Sequence, residues 1–205
     1  VILMKRIKLI GIGLALLLTQ NIWAQNSPVP MLQDTANQIL DTLKQNKSSL
    51  KNNPQVIFNA VERHLLPKVD VAGMSRSVLG RQVWMKATPA ERSQFSQAFT
   101  QLVIRTYASP LAEYTDETVK FLPIRGSVDS RFIRVNSVIV RSNGNNIPLA
   151  YSLVAANGQW KIYDLSVEGV SLLQSFRTQF SQALQNSNIQ DLIKQMRERS
   201  NKKAA

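Results

Sequence analysis

Cysteine is absent from this sequence of 205 residues, and histidine occurs once. Without cysteine there can be no disulfide staple, no thiolate metal site, no cysteine nucleophile and no lipid anchor attached to a cysteine at a cleavage site. Such a chain relies on its apolar core alone, so the core should be large. The lone His64 sits beside Leu65 and Leu66 with no carboxylate cluster near it, which fits a surface or capping role better than a metal site. There is no glycine-rich phosphate loop, no Gly-x-Ser-x-Gly elbow and no zinc-ligand spacing. Acidic side chains are also scarce, 13 against 25 lysines and arginines, giving a formal net charge of +12. The basic residues are scattered rather than gathered in a stripe, apart from a tail with Lys194, Arg197, Arg199, Lys202 and Lys203. That distribution does not read as a nucleic-acid surface.

Long apolar runs are missing as well, except one near the start. Lys5, Arg6 and Lys8 precede an uncharged stretch from Leu9 to Leu18, and Thr19 to Ala24 follow. This is the pattern of a secretory signal peptide, with cleavage expected after about Ala24 and initiation at Met4. The run is shorter than the roughly 20 residues that span a bilayer. The expected organisation is a cleaved signal peptide at 1–24 and a single domain at 25–205 with a basic helical tail, exported to the periplasm. A basic protein in that compartment meets anionic lipid surfaces more readily than DNA or RNA.

The remaining sequence reads as helices, then strands, then helices. Leu32, Ala36, Ile39, Leu40 and Leu43 recur at helical spacing, and Val56 to Leu65 do so behind the start signal Asn53-Pro54. A short helix is expected over Val71 to Leu79, stopped by Gly80. Thr88-Pro89-Ala90-Glu91 has the spacing of a capping box with proline in its favoured place. Behind it, Phe95, Phe99, Leu102, Val103, Thr106 and Tyr107 trace an aromatic-rich helix face that Pro110 should end or bend, and that face is expected to lie on a sheet. Strands are expected at Thr118–Leu122, Phe132–Val140, Ile147–Ala155 and Gln159–Val167, the last three joined by the turns Ser142-Asn143-Gly144-Asn145 and Asn157-Gly158. Alternation gives one strongly apolar sheet face, with Ile133, Val135 and Ile139 beside Leu149, Tyr151 and Leu153. Helices over 170–185 and 189–199 complete the chain. The fold class is α+β, helices wrapped over one face of a curved antiparallel sheet of about four strands.

Asp164 stands between Tyr163 and Leu165 near the end of an apolar strand. A carboxylate among aromatics could serve as a general base, with Tyr163 or Tyr151 as hydrogen-bond donor, in a small enzyme. The commoner role is structural, pairing with an arginine such as Arg177 or capping the following helix.

The run from Trp160 to Leu172, Trp-Lys-Ile-Tyr-Asp-Leu-Ser-Val-Glu-Gly-Val-Ser-Leu, with Phe176-Arg177-Thr178-Gln179-Phe180 behind it, resembles the hallmark segment of the MlaC family. Upstream, Met74 to Gly80 with Trp84, Thr88 to Arg92 with Phe95, then Phe99, Leu102, Arg105, Thr106, Tyr107, Leu111 and Tyr114 follow the same pattern, as does the tail around Leu192-Ile193-Lys194. The family comprises periplasmic carriers of the Mla lipid-transport system, also described as toluene-tolerance or ABC-transporter auxiliary proteins. The resemblance implies an NTF2-like cone with an apolar cavity for acyl tails, and a glycerophospholipid as cargo with no cofactor. It also implies two partners: an outer-membrane lipoprotein–porin complex, and an inner-membrane ABC transporter complex with its substrate-binding component. The function so implied is a shuttle that maintains outer-membrane lipid asymmetry, and not an enzyme. The candidate lining residues are Phe99, Leu102, Val103 and Tyr107 from the long helix, Phe121, Ile139, Tyr151 and Leu153 from the sheet, and Val167, Val170 and Leu173 beyond it. A basic residue is expected near the cavity mouth, and the sequence alone does not choose it.

Overall fold

The computed structural model describes residues 26–113, 116–125 and 130–202. The signal-peptide segment 1–24, Tyr114 of the family pattern and Lys203 of the basic tail lie outside them. Helix α1 spans Val29–Gln45, and α2, Gln55–Ala60, runs on through a π-helical turn at Val61–Leu65 and a 3-10 turn at Leu66–Lys68. Then come α3 (Val71–Leu79), α4 (Arg81–Lys86) and the long α5 (Pro89–Ala112). Strands β1 (Thr118–Phe121), β2 (Phe132–Val140), β3 (Ile147–Ala156), β4 (Gln159–Val167) and β5 (Val170–Ser171) follow, with α6 (Leu172–Ala183) and α7 (Ile189–Lys202) last.

Local chemistry explains most of these boundaries. The Thr88 side chain accepts a hydrogen bond from the Glu91 N–H, and the Glu91 carboxylate accepts from the Thr88 N–H, so the capping box is complete. The Thr88 N–H, then the Gln190 amide and the Thr88 hydroxyl, hold the Glu91 carboxyl below its ordinary value of 4.5. The Gln190 bond also ties the start of α5 to α7. Pro110 lies inside the last turn of α5 and the helix continues to Ala112, so proline neither ends nor precedes its end by a full turn. At Asn157 and Gly158 both φ angles are positive, 51° and 74°, which is the two-residue hairpin turn whose twist suits the flanking strands.

The five strands lie in sequence order, β1-β2-β3-β4-β5, and every pairing is antiparallel. The expectation of about four strands missed only β5, two residues long. The sheet's floor is packed by Leu32 of α1 with Ile133, Val135, Leu153, Trp160 and Ile162. A second core joins Met74, Val78, Phe95, Phe99, Leu102, Phe176, Phe180, Leu192, Ile193 and Met196 from α3, α5, α6 and α7. Within it Phe95, Phe99, Phe176 and Phe180 meet in edge-to-face, stacked and tilted pairs 5.3–6.1 Å apart. Helix α5 is therefore buried on two sides, between the sheet and the helical bundle. The expectation of a single apolar face lying on the sheet is corrected here: Phe95 and Leu102 pack in the bundle, and Phe99 packs there while also bordering the space above the sheet.

Candidate functional site

Between the helices and the inner sheet face lie two apolar cavities. The first, about 200 Å³, is bounded by α1 through Leu32, Ala36, Ile39, Leu40 and Leu43, and by Pro110 and Leu111 at the end of α5. Its floor is Val119, Ile139, Leu149, Tyr151 and Leu165, successive inward-facing positions on neighbouring strands. The second, about 110 Å³, lies deeper along α5, between Phe99, Thr100, Val103 and Ile104 on one side and Val69, Val71, Met74, Ile162 and Leu172 on the other. Val61, Leu65, Tyr151 and Leu165 line both, so the two chambers share one thin wall. The π-helical turn supplies half of that wall, Val61 and Leu65 being its first and last residues. Single π turns of this kind recur at functional sites.

Tyr151 is the polar exception at the centre. Its ring stacks on Phe121 at 5.8 Å, and its register partners are Val135 and Leu165. Burial pushes the Tyr151 phenol above its ordinary value of 10.0, and the nearby Ser137 hydroxyl, which makes no well-aligned hydrogen bond, offsets this only in part. No charged group lines the second cavity, and Glu117 and Arg141 are the charged groups on the first. Walls this apolar suit a ligand with little hydrogen-bonding capacity, because a polar ligand would strand its donors and acceptors there.

Of the residues proposed from the sequence, Phe99, Val103, Ile139 and Tyr151 stand on these walls. The others do not. Leu153 is fully buried in the packed floor, and Leu102 in the bundle core. Tyr107 belongs to a separate, more polar hollow with Thr106, Gln179 and Arg199, where burial raises its phenol. Phe121 reaches the cavity only through its stack on Tyr151. Val167 pairs with Leu149 and Val170 at the sheet's edge. Val170 is 60 % exposed, because the tight turn at Glu168 and Gly169, both with positive φ, swings it away from the cavities. Leu173 is half-buried against the helical bundle. The missed walls, α1 and the π turn, carried an apolar helical repeat in the sequence; nothing in that repeat said which layer it would face.

Asp164 has a settled structural role. It accepts hydrogen bonds from the Ser171 hydroxyl at 2.6 Å and the Leu173 N–H at 3.1 Å, and Ser171 in turn accepts from the Gln174 N–H. The carboxylate thus caps α6, as the structural reading expects, without Arg177.

Comparison with known proteins turns this geometry into a family assignment. The family model described as MlaC protein matches residues 33–198. The chain belongs to the MlaC family. It is 30% identical over 164 residues to the toluene tolerance protein ttg2D of Pseudomonas putida, covering 80% of this chain and 76% of the relative. Over 188 residues it is 29% identical to the intermembrane phospholipid transport system binding protein MlaC of Haemophilus influenzae, covering 90% and 87%. In three dimensions it matches a phospholipid-binding protein from Ralstonia solanacearum solved in complex with a phospholipid. That match has a TM-score of 0.81 at 26% identity and spans 88% of this chain and all of the other. As an MlaC chain it shares the mixed architecture of helices over an antiparallel sheet with a protein whose crystal holds a lipid.

Proposed function

We propose that this MlaC chain is a periplasmic carrier of glycerophospholipid, exported by its signal peptide and folded as one lipid-binding domain. The observation that carries this reading is the pair of adjoining apolar cavities between the helices and the sheet. Each methylene of an acyl chain left in water costs about 0.8 kcal/mol. Two chains therefore leave a bilayer at a useful rate only when a surface such as this replaces it. The lipid complex of the structural relative supports placing tails in the cavities. Lining residues proposed for the tails are Leu32, Val61, Leu65, Phe99, Val103, Ile139, Leu149, Tyr151 and Leu165.

Transfer between an outer-membrane lipoprotein–porin complex and an inner-membrane ABC transporter complex, in the service of outer-membrane asymmetry, is the wider role proposed. A groove lined by Arg76, Arg81, Arg92 and Arg177 around Trp84, with no carboxylate among its lining residues, offers a basic surface for meeting such partners. Purified protein extracted with organic solvent should release about one phospholipid per chain by mass spectrometry. Protein that carries none, and takes none from vesicles after delipidation, sinks the proposal. An enzymatic reading through Asp164 has less support, since that carboxylate is engaged in capping the α6 terminus.

A further inference from the structure

Arginines that are scattered in the sequence converge in the fold. Arg76, Arg81, Arg92 and Arg177 come one each from α3, α4, α5 and α6, and together they line a groove with Trp84 and Met85. Gly80, with a φ of 82° that favours glycine, turns the chain between α3 and α4 and so brings Arg76 and Arg81 to one groove from two helices. Arg92 braces the site. Its Nε–H donates to the Trp84 carbonyl at 2.9 Å and its Nη2–H to the Met85 carbonyl at 3.3 Å, and its guanidinium lies 5.4 Å from the Trp84 ring centre. The other three arginines are exposed, and none of their guanidiniums makes a hydrogen bond or an ion pair among the described residues. No Asp or Glu lines the groove. The carboxylates that flank it in sequence are engaged, Asp70 by the Gly73 N–H and Glu91 by Thr88 and Gln190. Like charges gathered without a counter-charge repel one another, at a cost to the folded state that an outside anion removes. Beside them Met85 is 65 % exposed.

We propose that this groove docks an acidic segment of a partner protein, one that carries carboxylates around an aromatic or aliphatic side chain. The carboxylates meet the forks of Arg76, Arg81 and Arg177, each of which can hold one in a bidentate pair, and the apolar side chain packs on Met85 and Trp84. Composition favours a protein over a bilayer. Arginine, tryptophan and methionine are enriched where proteins meet, and lysine, depleted there, is absent from the groove lining. Shape favours it too: a bilayer surface is broad and flat, whereas a groove around a half-buried tryptophan admits a narrow segment. Docking of this kind gains association rate from the charges and weakens as salt rises. The inference rests on reading the groove as a partner surface and is independent of the cargo in the cavities.

The test titrates the mature protein into a short fluorescent peptide of glutamates around a Leu-Phe pair, and into its counterpart with every Glu replaced by Gln, and reads anisotropy. Wild type should bind the Glu peptide, less tightly as salt rises, and the Gln peptide at least about tenfold more weakly. Arg76→Gln, Arg81→Gln and Arg177→Gln should each weaken binding about two- to fivefold, the range of one exposed charge pair. The triple Gln variant should lose at least about tenfold, and the triple Lys variant less, since lysine keeps the charge without the fork. Met85→Ser should weaken binding a few-fold through lost apolar contact. Lys194→Gln with Arg197→Gln, which removes charge from α7 instead, should change nothing. All these side chains are exposed, so each variant should melt with wild type and keep its lipid load. Wild type that ignores the Glu peptide, or a triple Gln variant that binds it as wild type does, overturns the inference. So does an equal loss in the α7 variant, which makes net charge the cause. Sedimentation with phosphatidylglycerol vesicles that depends on the same arginines, and that the Glu peptide does not compete away, makes a bilayer the occupant and overturns it as well. Protein that binds the peptide through these arginines but carries no phospholipid supports the inference and sinks only the carrier reading.

Discussion

Val61 and Leu153 are both apolar and both point toward the space between helices and sheet, yet they do different things. Val61 stands on the wall common to both cavities, while Leu153 is wholly enclosed by Ile133, Val135, Trp160 and Ile162. Replacing Val61 by Phe puts the added ring into free space, so lipid load should fall several-fold while the melting temperature stays within a few degrees. Replacing Leu153 by Ala should do the reverse, costing about 2–5 kcal/mol in urea unfolding with the load per folded molecule unchanged. Alternation in a strand fixes which way a side chain points and says nothing about whether another side chain meets it. Ile139 and Tyr151 therefore border the cavity, while Leu153, expected there by the same alternation, is enclosed by its neighbours. Tyr151 carries a pH consequence. Its folded value lies above the 10.0 of an exposed phenol because burial disfavours the anion. The unfolded chain then loses its proton first, so stability is full below pH 10 and declines as pH rises from 10 through the folded value. Tyr151→Phe should remove that part of the alkaline decline, seen as a shallower fall of the urea midpoint above pH 10 than in wild type.

Elements were easier to read than their partners. The strands β2 and β4 and helix α3 begin and end where alternation, turn residues and Gly80 place them, because those signals act locally. Helix α5 shows the limit. Its apolar residues cover two sides, Phe95 and Leu102 toward the bundle and Val103 and Ile104 toward the cavity, and a single stripe was the simpler reading of the same residues. Helix α4 and strand β5 leave no periodic signal in the sequence, because six and two residues are too few for a period to emerge. The start of α6 gives a test at this scale. Ser171 caps it and is itself held by Asp164. Ser171→Ala should cost about 1 kcal/mol, the usual worth of a helix cap, measured by urea unfolding. Asp164→Asn should lower stability in the same assay while leaving lipid uptake intact. Uptake abolished with stability unchanged would mean that Asp164 serves the ligand and not the helix.

At the scale of the whole molecule, the cavities exist because α5 is shared. Its bundle side is filled by four phenylalanines, and the sheet side is left to α1 and the π turn, whose Ile39, Leu40 and Leu65 do not reach far enough to close the gap. A dry apolar void of about 200 Å³ carries a stability cost of roughly 5 kcal/mol by the scaling of engineered cavities, an upper bound for a cavity partly open to water. The remaining cores must supply that stability when the chain is empty. Cargo that enters the cavities binds the folded state and not the unfolded one, so it must raise stability by mass action. At lipid concentrations about 100 times the dissociation constant the gain is about 2.7 kcal/mol. For a chain of this size that corresponds to a melting temperature higher by roughly 5–10 °C. Delipidated protein reloaded from vesicles should show this rise by differential scanning calorimetry. Val61→Phe should show less of it, since the ring already occupies part of the space. Equal melting of the empty and loaded forms would mean that the lipid sits outside the fold, on its surface, and that the hollow between α5 and the strands plays no part in carrying it.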